Sequence, residues 1–271
     1  MEGGGPMLKD ITLGQYFPGD TIAHRLDPRT KLVLVIVYIV GLFMAVNWVS
    51  YGVVFAVTII CMAVSHIKPK ILLKGLKPLI IIIVLTAVLN LFYTPGTKII
   101  EGLPMTWEGL KKAFLLVMRI MMLISGTFLL TYTTSPIALT DGLEKLLNPL
   151  KKVKFPVHEM SMMMSMALRF IPTLTEETDK IMSAQKARGA DFETGNLLQR
   201  AKALIPILVP LFVSAFRRAD ELAVAMESRC YHGGDGRTRM KQLKYYRRDL
   251  IAYLLGILFL AGMIALRHFG L

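Results

Sequence analysis

The sequence predicts an all-α, polytopic membrane protein with about five transmembrane helices and a cytoplasmic pair or trio of amphipathic helices. Three observations carry this. Of the 271 residues 54% are hydrophobic, and several apolar runs reach the length of about 18 nearly uncharged residues that marks a spanning helix. The formal charge of +13 is unevenly placed along the chain. The longest basic stretch, 133–248, has the apolar period of helices interrupted by polar breaks.

Met1–Pro6 reads as a flexible lead-in, and no cleavable signal is expected because no apolar stretch begins until Leu32. Leu32–Ser65 is apolar apart from a few uncharged polar residues. As one helix it would be about 50 Å long against a hydrocarbon core of about 30 Å. It therefore predicts two short spans turning at Asn47-Trp48, with the Trp at an interface. A third span is expected from about Leu76 to Tyr93, closed by the turn signal Thr94-Pro95-Gly96. A fourth covers about Leu110–Tyr132. The last, Leu250–Leu266, follows the basic run Lys244-Tyr245-Tyr246-Arg247-Arg248.

Basic residues orient these spans. Arg25, Arg29 and Lys31 precede the first, and Lys68, Lys70, Lys74 and Lys77 lie between the second and third. Nineteen of the 32 Lys and Arg residues fall between Tyr132 and Arg248, whereas the 94–109 loop has Lys98 against Glu101 and Glu108. Because cytoplasmic loops collect Lys and Arg, the expected order is a cytoplasmic segment at 1–31, four spans within 32–132, a cytoplasmic region at 133–248 and a last span within 249–271. Lys111 and Lys112 fall at the outer end of the fourth span, where snorkelling accommodates them.

Two helical stretches stand out in the cytoplasmic region. Met160–Ala187 places apolar residues at Met160, Met163, Met164, Ala167, Leu168 and Ile171 and continues past Pro172. Ala201–Glu227 is apolar over Leu204–Phe216 and then charged at Arg217, Arg218, Asp220 and Glu221. Pro206, Pro210 and the flanking basic residues favour a helix packed at the cytoplasmic face over a further span. The two stretches end alike, in Ala187-Arg188-Gly189 and Ser228-Arg229-Cys230, with the arginines 41 positions apart. Small neighbours let a partner backbone approach, Gly189 can take the left-handed conformation that ends a helix, and an arginine at such a tip can grip a carboxylate bidentately. The same residues also fit an ordinary helix cap with solvated arginines near lipid headgroups.

The chain resembles, over nearly its whole length, the EcfT and CbiQ family of transmembrane subunits of energy-coupling factor transporters. The resemblance rests on Leu13-Gly14-Gln15-Tyr16, Pro18-Gly19-Asp20, His24-Arg25-Leu26-Asp27-Pro28-Arg29-Thr30-Lys31, Ala167-Leu168-Arg169-Phe170-Ile171-Pro172 and Arg217-Arg218-Ala219-Asp220-Glu221-Leu222-Ala223. It implies that the two amphipathic stretches are coupling helices whose Ala-Arg-Gly ends dock into two ABC-type ATPase subunits. Arg188 matches with Ala187 and Gly189 intact, while Ser228 and Cys230 replace the usual neighbours of Arg229. It further implies that a separate membrane-embedded subunit, the S-component, binds the vitamin or metal, that ATP is bound by the ATPase partners, and that this chain, in a bacterial inner membrane, is a non-catalytic scaffold. The substrate would then be specified by another chain.

The residues agree in what they lack. No GxxxxGK[ST] phosphate loop is present, and the glycine-rich His232-Gly233-Gly234-Asp235-Gly236 has no following Lys. Cys61 and Cys230 form no CxxC pair, and the five histidines are scattered, so no metal site or cofactor is expected. Glu176 and Glu177 fall on a charged helix face, and no nucleophile–base set accompanies them. A self-contained secondary transporter or channel is disfavoured by the shortage of ionisable residues in the spans. The basic charge follows topology and lacks interleaved aromatics, which argues for a lipid bilayer and against nucleic acid as partner. Arg119, the only Lys or Arg well inside a span, is expected to face the protein interior. Met160, Met162, Met163, Met164 and Met166 form a cluster that suits either a repackable contact with an S-component, through Met160, Met163 and Met164, or simple core and lipid-facing filler.

The topology is checked with single-cysteine variants, made after replacing Cys61 and Cys230, and a membrane-impermeant thiol reagent on intact cells. Labelling is expected in the 94–109 loop and beyond residue 268, and none near Gly234.

Overall fold

A computed structural model of the chain describes residues 16–97, 106–192, 194, 196–233 and 242–270, with the side chains of Leu73, Lys74 and Leu197 excepted. Leu13, Gly14 and Gln15, the charges Lys98 and Glu101, and the glycine-rich loop from Gly234 onward lie outside the described residues. Among the described residues the regular structure is helical: α1 (Pro28–Met44), α2 (Trp48–Ser65), α3 (Pro69–Leu76), α4 (Ile80–Tyr93), α5 (Trp107–Thr133), α6 (Pro136–Leu147), α7 (Val157–Ala187), α8 (Leu197–Glu227) and α9 (Arg247–His268). Short 3₁₀ turns at Lys77–Leu79 and Asn148–Val153 precede α4 and α7.

The predicted break at Asn47-Trp48 is present. α1 stops at Met44, Ala45 is extended, and Asn47 opens α2. Trp48 is exposed and stacks on Phe114 at 5.4 Å between ring centroids. The third apolar segment begins earlier than its hydropathy predicts. α3, a 3₁₀ turn around Pro78 and α4 follow one another from Pro69 to Tyr93, the turn absorbing a proline that cannot supply a backbone N–H.

By length and composition, five stretches can cross a membrane: Trp48–Ser65, Pro69–Tyr93, Trp107–Thr133, Leu198–Glu227 and Arg247–His268. The chain is a multi-pass membrane protein. α1, with 17 residues, is not among the five, being one residue shorter than α2, the shortest of them. α8 is among them although its second half holds Arg217, Arg218, Asp220 and Glu221.

The chain divides into two compact units. One comprises Gly14–Leu146 with Leu243–Leu271, and the other contains Leu147–Gln242. In the first, α5 packs against α1, α2, α3 and α4, and α9 packs against α1 and α2. Leu42, Ala45, Tyr51, Val54, Met122 and Met263 form the buried core, flanked by Tyr38, Phe259 and Leu266. The Tyr38 hydroxyl lies 2.7 Å from Thr58 Oγ1 and donates to the Met122 carbonyl at 3.1 Å, tying α1, α2 and α5 together. Helix starts are capped locally. Asp27 accepts from the Arg29 N–H at 2.9 Å with Pro28 in the first turn, and Thr106 accepts from the Gly109 N–H at 3.1 Å.

Close approach of α5 to α1 needs a glycine, since a Cβ on Gly126 would stand 2.5 Å from the Tyr38 ring, whereas one on Gly52 would meet nothing within 4 Å. Gly126→Ala is therefore expected to lose about 1–3 kcal/mol to overpacking. Gly52→Ala should be neutral or gain up to about 1 kcal/mol from helix propensity. Thermal unfolding of the two variants in detergent checks the contrast.

Candidate functional site

α7 and α8, 31 residues each, meet within the second unit. α8 starts at Asn196, whose N–H donates to the Gln199 side chain at 3.0 Å in a capping box. Pro172 lies within α7, and Pro206 and Pro210 within α8, and both helices run on through them. Met163, Met166, Phe170 and Leu174 recur at helical spacing on α7, and Ala215, Ala219, Leu222, Ala223 and Met226 do so on α8. These residues and Arg218 line a shallow apolar groove of about 330 Å³. Two of the motifs quoted above, around Phe170 and around Ala219, thus build the contact between the two helices.

One ion pair lies beside the groove. Arg218 Nη2 donates to Glu177 Oε2 at 3.1 Å. A hydrogen bond from Ser214, with help from Arg218, holds the Glu177 carboxyl below the usual carboxylate range. Sequence spacing left Glu177 on a charged face of its helix. The crossing gives it a partner 41 positions away, which no periodicity reveals.

The two helix ends share one hydrogen-bond pattern. At the end of α7 the Gly189 N–H donates to the Lys186 carbonyl at 3.0 Å and the Ala190 N–H to the Gln185 carbonyl at 3.0 Å. At the end of α8 the Cys230 N–H donates to the Glu227 carbonyl at 2.8 Å and the Tyr231 N–H to the Met226 carbonyl at 3.0 Å. Both are Schellman closures, with the arginine just before a residue of positive φ. That residue is Gly189 at φ 86° in one and Cys230 at φ 55° in the other. The repeat seen in sequence as small-Arg-small is thus a repeat of backbone geometry.

Ala187, Arg188, Gly189, Ser228, Arg229 and Cys230 are all exposed. Among the described residues no ion pair engages Arg188 or Arg229, in contrast to Arg218. Arg229 stands three residues beyond Met226, within the groove's reach. Arg188 stands eleven residues beyond Glu177, about 16 Å of helix past the last α7 contact named above.

Met160, Met163 and Met164 lie on the first half of α7, exposed by 40%, 59% and 44%. Met163 lines the groove and the other two do not. The structure therefore keeps this methionine surface separate from the Arg188 tip. Cys61 and Cys230 are free thiols, and among the described residues no three His, Cys, Asp or Glu side chains gather as a metal cage. Arg119, in the first unit, faces inward as expected. Its Nη2 donates to the Ala45 carbonyl at 2.9 Å, and its guanidinium lies 5.6 Å from the centroid of Tyr51.

A left-handed backbone penalises a side chain by about 1–2 kcal/mol relative to glycine. Cys230→Gly is accordingly expected to stabilise its helix end by about 1 kcal/mol and Gly189→Ala to destabilise the other by a similar amount. Amide exchange at Tyr231 and Ala190 reads each closure separately. Shifts in the same direction for both variants would refute the shared geometry.

The family described as "Cobalt transport protein", CbiQ, matches residues 19–240. A protein of Clostridium kluyveri named energy-coupling factor transporter transmembrane protein EcfT is 56% identical over 252 residues, covering 92% of this chain and 93% of its own length. Proteins of the same name from Thermosediminibacter oceani and Bacillus subtilis are 55% and 49% identical, covering 96% and 90% of this chain and 99% and 93% of their own. With a family match across most of its length and relatives this similar from end to end, the chain belongs to the CbiQ/EcfT family of energy-coupling factor transporter transmembrane proteins.

Proposed function

We propose that the chain is the membrane scaffold and coupling subunit of an energy-coupling factor importer of a bacterial cell membrane. In this reading it links ATP hydrolysis by two ABC-type ATPase subunits to uptake of a vitamin or metal through a membrane-embedded S-component. The chain binds no ATP itself. Its N-terminus and residues 133–248 face the cytoplasm, and the chain performs no chemistry. The observation that carries the reading is the pair of helix ends. Two exposed arginines, engaged by no ion pair among the described residues, stand in the same hydrogen-bonded closure 41 positions apart, as two similar receiving grooves would require. Each guanidinium offers a rigid fork of donors matched to a carboxylate, which a solvated lysine-like charge would not need. The exposed Met160 and Met164 and the groove residue Met163 supply an adaptable apolar surface for the S-component.

The geometry of the tips makes the docking test specific. If each arginine pairs with a buried carboxylate of an ATPase subunit, removing it leaves that charge stranded, at a loss of about 3–5 kcal/mol. At about 1.4 kcal/mol per tenfold, docking at that tip weakens by about a hundredfold or more. Arg188→Ala and Arg229→Ala should each loosen the complex and reduce transport, and the double variant should release the ATPase subunits almost completely. Arg188→Lys and Arg229→Lys should restore only part, because an ammonium cannot make the two-pronged contact. Recovery of ATPase subunits with the tagged chain, at matched membrane levels, decides the matter. Full recovery with the double Ala variant would overturn the docking role.

A further inference from the structure

Asp27–Lys31, which opens α1, binds two distant pieces of chain at once. Asp249, 1% exposed, accepts from the Asp27 N–H at 2.8 Å with one carboxylate oxygen and from the Tyr246 N–H at 2.9 Å with the other. The Asp27 carboxylate takes Arg29 in a bidentate grip, Nε at 3.0 Å and Nη2 at 2.9 Å. The Arg29 guanidinium lies 3.9 Å from the centroid of the Tyr245 ring. Lys31 donates to the Thr133 carbonyl at 2.9 Å, the Thr134 hydroxyl at 3.0 Å and the His24 carbonyl at 3.3 Å, using all three ammonium protons. α6 lies against the same stretch, since a Cβ on Gly142 would stand 3.0 Å from the Pro28 side chain and 3.3 Å from the Arg29 nitrogen.

These contacts share a position along the chain. Thr133, Thr134 and α6 lead into the unit that contains Leu147–Gln242, and Tyr245, Tyr246 and Asp249 are among the first residues after it. A stretch serving only to start α1 would need the Asp27 cap and Pro28. It would not need Arg29 stacked on Tyr245 or Lys31 buried on the end of α5. Among the described residues the charged groups of Asp27, Arg29, Lys31 and Asp249 are all used on protein partners, which fits a fastening better than a ligand site.

We propose that Asp27–Lys31 is the mechanical joint of the subunit, fastening the chain segments that enter and leave the α7–α8 unit to the base of α1. Load applied to α7 and α8 reaches the membrane helices covalently only through those two segments. A joint that fixes both delivers the motion, and loose connections would absorb it. Arg29 and Lys31 are positioning residues in this scheme, acting through Tyr245 and through Thr133–Thr134. The proposal rests on the coupling reading above.

The test uses the whole transporter, purified through this chain and reconstituted in liposomes, with substrate accumulated and ATP hydrolysed measured on the same samples. Arg29→Met and Lys31→Met remove one arm each while keeping the aliphatic bulk, and Gly142→Val pushes α6 off Pro28 without touching a charge. All three are expected to retain ATPase subunits and to keep hydrolysing ATP. Substrate moved per ATP should fall by about tenfold, the scale of one lost charge-assisted hydrogen bond, with Arg29→Lys between Met and wild type. A purely structural role would lower the amount of assembled complex and leave that ratio unchanged in what remains, and such a result overturns the joint. If the wild-type chain recovers no ATPase subunits, the coupling reading itself falls and takes the joint with it. Wild-type recovery with an unaltered ratio in all three variants removes the joint alone.

Discussion

Inside a bilayer every backbone N–H and C=O has to find its partner within the protein, and this constraint governs the membrane-embedded half of the chain. It leaves helices as the only open-ended solution, and it extends to the side chains. The hydroxyls of Thr58, Ser65, Thr86, Ser125, Thr127, Thr131 and Thr133 all return to the carbonyl four residues back. A polar residue satisfied by its own helix can face lipid or a neighbour at little cost, which is why the spans tolerate so many of them. Tyr38 and Arg119 depart from this pattern. The Tyr38 hydroxyl donates to the Met122 carbonyl of α5. Arg119 reaches across to the Ala45 carbonyl, at the point where α1 has ended and its last carbonyls have lost their helical partners. The charge in the membrane is thus assigned to the one kind of backbone group that helix geometry leaves open.

The outline of the fold was legible because hydropathy and turn chemistry are local. Asn47-Trp48, Thr94-Pro95-Gly96 and the basic run before Leu250 all mark helix boundaries within a few residues. The last turns of α7 and α8 were legible for the same reason, as a small residue after an arginine. What stayed hidden depends on residues far apart in sequence. The Asp27 N–H and Asp249 are separated by 222 positions, Arg119 and Ala45 by 74, and Glu177 and Arg218 by 41. A motif such as Asp27-Pro28-Arg29-Thr30-Lys31 announces a helix start. It says nothing of the tyrosine or the threonines that its charges will meet. Pro172, Pro206 and Pro210 leave both helices unbroken, as the apolar period on either side of them indicates.

The two arginine tips are equal in closure and unequal in support. Gly189 adopts its positive φ freely, whereas Cys230 holds a similar backbone with a side chain attached. Arg229 follows directly on the packed stretch of α8, while Arg188 ends a longer projection of α7 beyond its contact with α8. A scaffold that serves two partners through nearly identical tips would in this way present one stiffer and one more yielding attachment.

The composition of α8 has a consequence for how the protein is made. Leu198–Glu227 is long and apolar enough to be taken for a span, yet it holds two prolines in its apolar half and Arg217, Arg218, Asp220 and Glu221 in the other. As the nascent chain leaves the ribosome, the insertion machinery meets this segment before α9 exists to complete the topology. Each central Arg or Asp opposes partition into lipid by about 2.5–3.5 kcal/mol. Those four charges, in the half of α8 that meets α7 in the finished protein, therefore also act earlier, opposing insertion of this half while α9 is still unmade.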